Sequence, residues 1–152
     1  MGWVGIVLRD AVVSDIDWIL VELKQFAEFY ASSHSLFSDD DGYNRTVLKQ
    51  LIEGHYFIVS ENDGIVSGFI AGMISKHLFN PKISTITELF WWVKPEYRRS
   101  GAGGLLLQEF TEFGKQFTWV IMTLENDSPV KPASIVKMGY KFKEQSFIKE
   151  NI

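Results

Sequence analysis

The fold class this sequence predicts is a single α/β domain, and three observations predict it. Apolar runs of strand type are interleaved with segments whose apolar residues recur at three and four, the spacing of a helix face. The 152 residues, 46% hydrophobic and 14% aromatic, suffice for one core and would be cramped as two. A strand-like run at residues 88–93 also passes through a basic, glycine-rich stretch directly into an apolar helical face.

In chain order, residues 3–8 read as a first strand, with Val and Ile alternating among small residues. Arg9-Asp10-Ala11 leads to Ser14 or Asp15, either able to cap a helix carrying Ile16, Ile19, Leu20, Leu23, Phe26, Ala27 and Tyr30 on one stripe. Residues 31–43, rich in Ser, Asp and Gly, cannot bury enough apolar surface for an element and read as a loop. A second helix over 44–53 presents Val47, Leu48, Leu51 and Ile52, with Gly54 as its stop. Residues 56–60 and 65–74 read as a hairpin turning through Asn62-Asp63-Gly64. In its second strand Gly68 and Gly72 are costly unless a bulge or a close backbone neighbour requires them.

Residues 75–84, with Asn80-Pro81, read as a loop, and His77 within it as a solvated histidine. Residues 85–93 form a fourth strand. The next helix buries Leu105, Leu106, Phe110 and Phe113 and ends near Gly114. A fifth strand covers 117–124, and a short helix over 131–138 takes Pro132 into its first turn. Phe142 and residues 146–149 supply a last antiparallel pair of strands.

Composition removes several function classes. A net charge of −4 argues against a nucleic-acid binder, so any basic patch is local, and Lys94, Arg98 and Arg99 supply one. With no cysteine there is no disulfide framework, no thiolate metal site and no acyl-cysteine intermediate. The apolar start stops at Arg9-Asp10, and no run reaches the ~18 apolar residues of a membrane span. The expectation is a soluble cytoplasmic protein without metal, nucleic-acid or membrane partners. Its oligomeric state is open, a homodimer included.

The chemistry concentrates between Trp91 and Leu107, WWVKPEYRRSGAGGLLL. Glycines let a backbone turn tightly and approach an anion, and the unpaired N–H groups of the following helix face that charge. Arg98, Arg99, Ser100, Gly101, Ala102, Gly103 and Gly104 therefore read as a phosphate cradle. A dinucleotide fingerprint is absent because Leu106 stands where its third glycine belongs, and no Gly-x-x-x-x-Gly-Lys-Ser/Thr loop occurs. What remains is Arg98-x-x-Gly101-x-Gly103 after Val93-Lys94-Pro95. This resembles the acyl-CoA signature of the GNAT superfamily of N-acetyltransferases, in which Gln/Arg-x-x-Gly-x-Gly/Ala follows a strand ending in Val-x-Pro. Arg-x-Ala-x-x-x-Asp after the first strand and Lys137-Met138-Gly139-Tyr140 after the last helix resemble the same family. The Trp-Trp strand and the tail are also similar to GNAT proteins encoded by bacteriophages.

The resemblance implies a mixed, mostly antiparallel sheet of six to seven strands, about four flanking helices and a central splay holding acetyl-CoA. It implies that the backbone at Trp92 and Val93 pairs with the pantetheine arm, and that the Val93 N–H faces the thioester oxygen. The loop between the first helices, with His34, Phe37 and Tyr43, would wall the acceptor site, where the acidic residues Asp39, Asp40 and Asp41 could attract an amine. Glu88, the one carboxylate in the apolar part of the fourth strand, is the candidate general base, its pKa raised by desolvation. Counting back from Arg98, however, places the family's glutamate nearer Thr87, one sheet face away unless a bulge intervenes.

An Asn beyond the fifth strand often contacts pantetheine in the family; here Asn126 is near, while Ser128 stands at the expected distance from Gly139. Where many relatives carry the tyrosine that protonates the departing thiolate, this chain has Ile135, leaving water, Ser134 or Tyr140 to supply the proton. Two functions follow. One is acetyl-CoA-dependent transfer to a primary amine, on a small molecule or a protein, by direct attack in a ternary complex. The other is a non-catalytic acyl-CoA-binding or assembly protein with the same fold.

Overall fold

The computed structural model describes residues 5–30 and 38–151. Among them one five-stranded sheet runs in the order β1-β2-β3-β4-β5. The strands are β1 Ile6–Asp10, β2 Tyr56–Asn62, β3 Ile65–His77, β4 Asn80–Val93 and β5 Trp119–Ile121, and the helices are α1 Ile16–Tyr30, α2 Asp41–Gly54, α3 Ala102–Phe113 and α4 Pro132–Val136. β1 to β4 pair antiparallel, whereas β5 joins β4 in parallel. No helix among the described residues is long and apolar enough to cross a membrane.

Two apolar layers sandwich the sheet. On one face Ile16, Ile19, Leu20 and Leu23 of α1 and Leu48 and Leu51 of α2 pack on Phe57, Val59, Phe69, Phe90 and Trp92. On the other, Ala102, Leu106 and Phe110 of α3 pack on Tyr56, Ile58, Ile70, Ile86, Trp91 and Val93. Alternation along β4 sends Trp92 to the first layer and Trp91 and Val93 to the second. Within α3 the buried stripe includes Leu107, while Leu105, expected inside, is 37% exposed because it falls off the 102/106/110 row.

The entry to α1 is pinned by charge. Arg9 donates to both oxygens of buried Asp15 (2.8 and 2.9 Å) and to Glu61 (2.8 Å). Asp15 also accepts from the Val12 N–H and from Trp18. Burial pushes the Asp15 carboxyl up, but these hydrogen bonds outweigh it and hold it down at about 2. Asp15 thus anchors the approach to the helix, accepting from the backbone before it rather than from an α1 backbone N–H.

Four expectations are corrected. α2 begins three residues early, because the Asp40 carboxylate caps it by accepting the Tyr43 N–H (3.0 Å) and Asp41 sits in its acidic first turn beside Lys24. The segment 75–84 is no loop: β3 and β4 extend to His77 and Asn80, joined by a tight turn at Leu78 and Phe79. Ser75 and Thr85 bond across that extension (2.9 Å), and His77 stays structural, its Nδ1 accepting the Phe79 N–H. β5 is three residues long where eight were expected. Finally, the sheet has five strands, not six to seven. Residues 140–151 form no strand, since β5 offers only a short ladder to pair with and Lys141, Lys143, Glu144 and Gln145 interrupt the tail's apolar pattern. His34 and Phe37, like Trp3 and Val4 of the expected first strand, lie outside the described residues.

The glycines of β3 are required by close approach. A Cβ on Gly68 would meet the Trp92 carbonyl oxygen at 2.6 Å, and one on Gly72 would meet Phe110 at 2.8 Å. The hairpin before them turns at Asp63 (φ 51°) and Gly64 (φ 82°), as Asp-Gly predicts for two consecutive left-handed residues.

Candidate functional site

The site begins where β4 and β5 part. Their pairing covers only Thr85 with Trp119, Ile86 with Val120 and Thr87 with Ile121. Beyond Thr87, β4 continues to Val93 bonded to β3 alone, so its other edge faces an opening wedge from Glu88 onward. An exposed strand edge offers alternate N–H and C=O groups to an extended ligand. The expected splay corresponds to this unpaired edge, the wedge, and Trp92 and Val93 lie at its far end from Thr87.

Glu88 sits at the apex. Its register is settled by a bulge: Ala71 pairs with Phe90 and Gly72 with Glu88, leaving Leu89 as the extra residue. The bulge reverses the faces below it, so Glu88 takes the α3 face that residue 87 would hold in a regular strand. Glu88 is 9% exposed, and its Oε1 accepts the Thr123 N–H across the wedge at 3.4 Å. Burial raises the Glu88 pKa to about 7, against the lowering effect of that hydrogen bond, with Glu125 adding a further push upward. A carboxylate with this value is half ionised near neutral pH, where a general base is most effective.

At the far end of the wedge the chain turns through a 3₁₀ segment, Pro95–Tyr97, into α3. Gly101 takes φ 95° just before the helix, a left-handed conformation that glycine tolerates without strain. Ser100 builds the turn, its hydroxyl donating to the Tyr97 carbonyl (2.7 Å) and accepting the Ala102 N–H (3.3 Å). The first α3 hydrogen bond runs from the Leu105 N–H to the Gly101 carbonyl, so the amides of Gly103 and Gly104 have no partner within the helix. A Cβ on Gly104 would meet nothing within 4 Å, and one on Gly103 would make only ordinary contacts with Val93 and Trp91 from 3.5 Å outward. Packing therefore does not require glycine at either place. Amides left free at a helix start, without side chains over them, are a geometry that suits an anion.

The two arginines are placed differently. Both are exposed, and Arg99 lies on the turn. Arg98 bends back over β4: its Nε donates to the Val93 carbonyl (3.0 Å) and its guanidinium lies 4.5 Å from the Trp92 ring and 5.4 Å from that of Phe29. Trp91 supports the turn from below, donating to the Gly103 carbonyl (3.2 Å).

Other expected residues lie elsewhere. Tyr43 is 64% exposed on α2. Asn126 and Ser134 are exposed, and Ser128 accepts the Val130 N–H. Ile135 is a buried core residue of α4. Tyr140 shares a hydrogen bond with Thr111 (2.8 Å), and its pKa is raised by burial, with Glu88 contributing. Sequence reasoning missed Glu22, which is 7% exposed and accepts the Trp92 indole N–H at 3.0 Å. Its signal was a carboxylate at stripe spacing, three residues after Ile19 and four before Phe26. No cluster of His, Asp or Glu able to hold a metal ion occurs among the described residues.

Comparison with known proteins agrees with this geometry. The Acetyltransferase (GNAT) domain family matches residues 53–141, more than half of the chain. No curated protein matches the sequence. Among solved structures, a possible acetyltransferase from Clostridium difficile superposes with a TM-score of 0.73 at 15% identity, covering 97% of each chain. A GCN5-related N-acetyltransferase from Ralstonia eutropha gives 0.72 at 18% identity, covering 96% of this chain and 99% of that one. An aminoglycoside acetyltransferase from an uncultured soil metagenomic sample, solved with sisomicin, gives 0.68 at 13% identity, covering 97% and 96%. At such identities the likeness is one of fold.

Proposed function

The chain belongs to the GNAT acetyltransferase domain family, and from that premise we propose that it transfers the acetyl group of acetyl-CoA to a primary amine by direct attack in a ternary complex. The observation that carries this reading is the continuity of the β4–β5 wedge with the glycine turn at the start of α3. In this reading the unpaired edge of β4 takes a pantetheine arm, and the α3 start that follows it in the chain offers amides without an intrahelical partner to a pyrophosphate.

In this reading the backbone of Trp92 and Val93 aligns the arm, and the Val93 N–H faces the thioester oxygen, where negative charge grows as the amine adds. Arg99, Ser100, Gly101, Ala102, Gly103 and Gly104 hold the pyrophosphate, with Arg98 beside them. Glu88, at the apex and on the same face as Val93, takes the ammonium proton directly or through water. The C–N bond forms first, sending the carbonyl electron pair onto oxygen, and collapse of the tetrahedral intermediate then breaks the C–S bond and releases the CoA thiolate. Ile135 donates no proton, so the CoA thiolate, a good leaving group, is protonated from solvent.

An amine acceptor suits a base of this pKa. The test is thiol release from acetyl-CoA against amines of several classes, including polyamines, aminoglycosides such as sisomicin, and peptides with free N-termini or lysines. Turnover with any class, lost in Glu88→Gln, supports the reading. Tight acetyl-CoA binding without turnover across the panel selects the non-catalytic acyl-CoA-binding alternative, which the buried Ile135 favours.

A further inference from the structure

Arg98 occupies the first position of the glycine signature, yet its side chain is committed to the strand behind it. The Val93–Lys94 peptide is held at both ends: its carbonyl accepts from Arg98 Nε at 3.0 Å, and its N–H donates to the Ser67 carbonyl at 2.8 Å. The guanidinium that makes the first of these bonds is fixed in turn by stacking over Trp92. Trp92 is 4% exposed, is edged by Phe26 and Phe29 at ring distances of 5.7 and 6.0 Å, and is locked about its own axis by the hydrogen bond to buried Glu22. A continuous path thus runs from α1 to the last peptide of β4. A buried carboxylate is costly unless it is paired, and here its hydrogen bond orients the indole over which the Arg98 guanidinium lies.

We propose that Arg98 is a positioning residue, tied through Trp92 to Glu22 in a brace that fixes the Val93 peptide at the far end of the wedge. The brace spans the α1 face of the sheet, while the glycine amides serve the α3 face. The brace holds Trp92 by its ring and Val93 by its carbonyl, and so steadies from both sides the preceding Trp92–Val93 peptide, which carries the Val93 N–H; the proposal rests on the acyl-transfer reading only for what that N–H does, namely meet the thioester oxygen. A donor that must meet a developing oxyanion loses its effect with small displacements, and misplacement of this kind costs about a hundredfold in rate.

The test compares Arg98→Lys, Glu22→Ala, Glu22→Gln and the pair Glu22→Ala/Arg98→Lys. Lysine keeps the cation but lacks the planar stack and the Nε donor; glutamine keeps the acceptor oxygen for Trp92. CoA affinity is measured by calorimetry, and kcat with acetyl-CoA and the best amine of the panel. The brace predicts that Arg98→Lys and Glu22→Ala each lower kcat about ten- to a hundredfold while the Kd for CoA stays within about twofold. Glu22→Gln restores the rate, and the double variant is no worse than either single one. A Kd weakened about tenfold in Arg98→Lys with kcat intact would make Arg98 a phosphate ligand and overturn the proposal. Amide hydrogen exchange at Lys94, measured without ligand, separates the two readings. Faster exchange in Arg98→Lys and in Glu22→Ala supports the brace, and unchanged exchange refutes it. Failure of the unaltered protein to bind acetyl-CoA refutes the transferase reading alone.

Discussion

Replacing Glu88 by Gln moves stability and activity in opposite directions. The folded-state pKa of about 7, against an ordinary 4.5, corresponds to about 3 kcal/mol of extra cost for carrying the charge in the native state. The sign follows from proton binding. The folded protein holds the Glu88 proton more tightly than the unfolded chain, so this stabilising difference is complete below about 4.5 and is lost as pH climbs through about 7. Glutamine keeps an oxygen for the Thr123 N–H and carries no charge. In urea titrations Glu88→Gln therefore matches the parent near pH 4 and exceeds it by up to about 3 kcal/mol near pH 8. In the transfer assay the same variant loses about a hundredfold or more in kcat, together with the parent's rise in rate around neutral pH. Equal stabilities near pH 8 would mean that Glu88 is hydrated and ordinary. A stabilised variant with full activity would mean that the carboxylate only clasps the wedge.

Three further outcomes follow from the same coordinates. Gly68→Ala pushes a Cβ against the Trp92 carbonyl at 2.6 Å, so β4 must shift, and the urea midpoint falls by the equivalent of about 2 kcal/mol at unchanged m. Gly104→Ala meets nothing, so the helix gains about 1 kcal/mol while acetyl-CoA affinity drops; calorimetry and thermal melting together read this trade. Asp15→Asn removes the charge that faces part-exposed Arg9 and costs about 2 kcal/mol near neutral pH. Because the Asp15 pKa is held down, that contribution is full above about 3.8 and disappears as pH falls through about 2, where parent and variant converge in acid titrations monitored by circular dichroism.

Much of this was legible in the chain because local chemistry dictated it. The stripe Ile16, Ile19, Leu20, Leu23 can only be a helix face, Asp63-Gly64 only a tight turn, and Gly101 before an apolar helix only a left-handed entry. What stayed hidden depends on tertiary partners. The bulge at Leu89, which decides the face of Glu88, arises from pairing with β3; Gly72 opposite Glu88 hinted at an irregularity but not at the residue that bulges. The course of Arg98 depends on an indole oriented by Glu22 from α1, seventy positions before Trp92. The strand expectations for 117–124 and for the tail followed β propensity, which fails where no partner strand is offered. The extension of β3 and β4 past residue 75 was missed because Asn80-Pro81 reads as a turn, although Pro81 lies near the start of β4.

The claim that an acyl-CoA lies along the wedge with its pyrophosphate on the α3 amides is met most directly by calorimetry of acetyl-CoA against S-acetylpantetheine, which lacks the pyrophosphate and adenosine, repeated on Gly103→Glu. The account predicts that acetyl-CoA binds the parent protein, that the truncated thioester binds roughly a hundredfold more weakly, and that Gly103→Glu abolishes the difference by placing a carboxylate where the phosphates belong. Equal binding of both thioesters, or undiminished acetyl-CoA affinity in Gly103→Glu, would contradict it and leave the glycine turn as no more than the start of a helix.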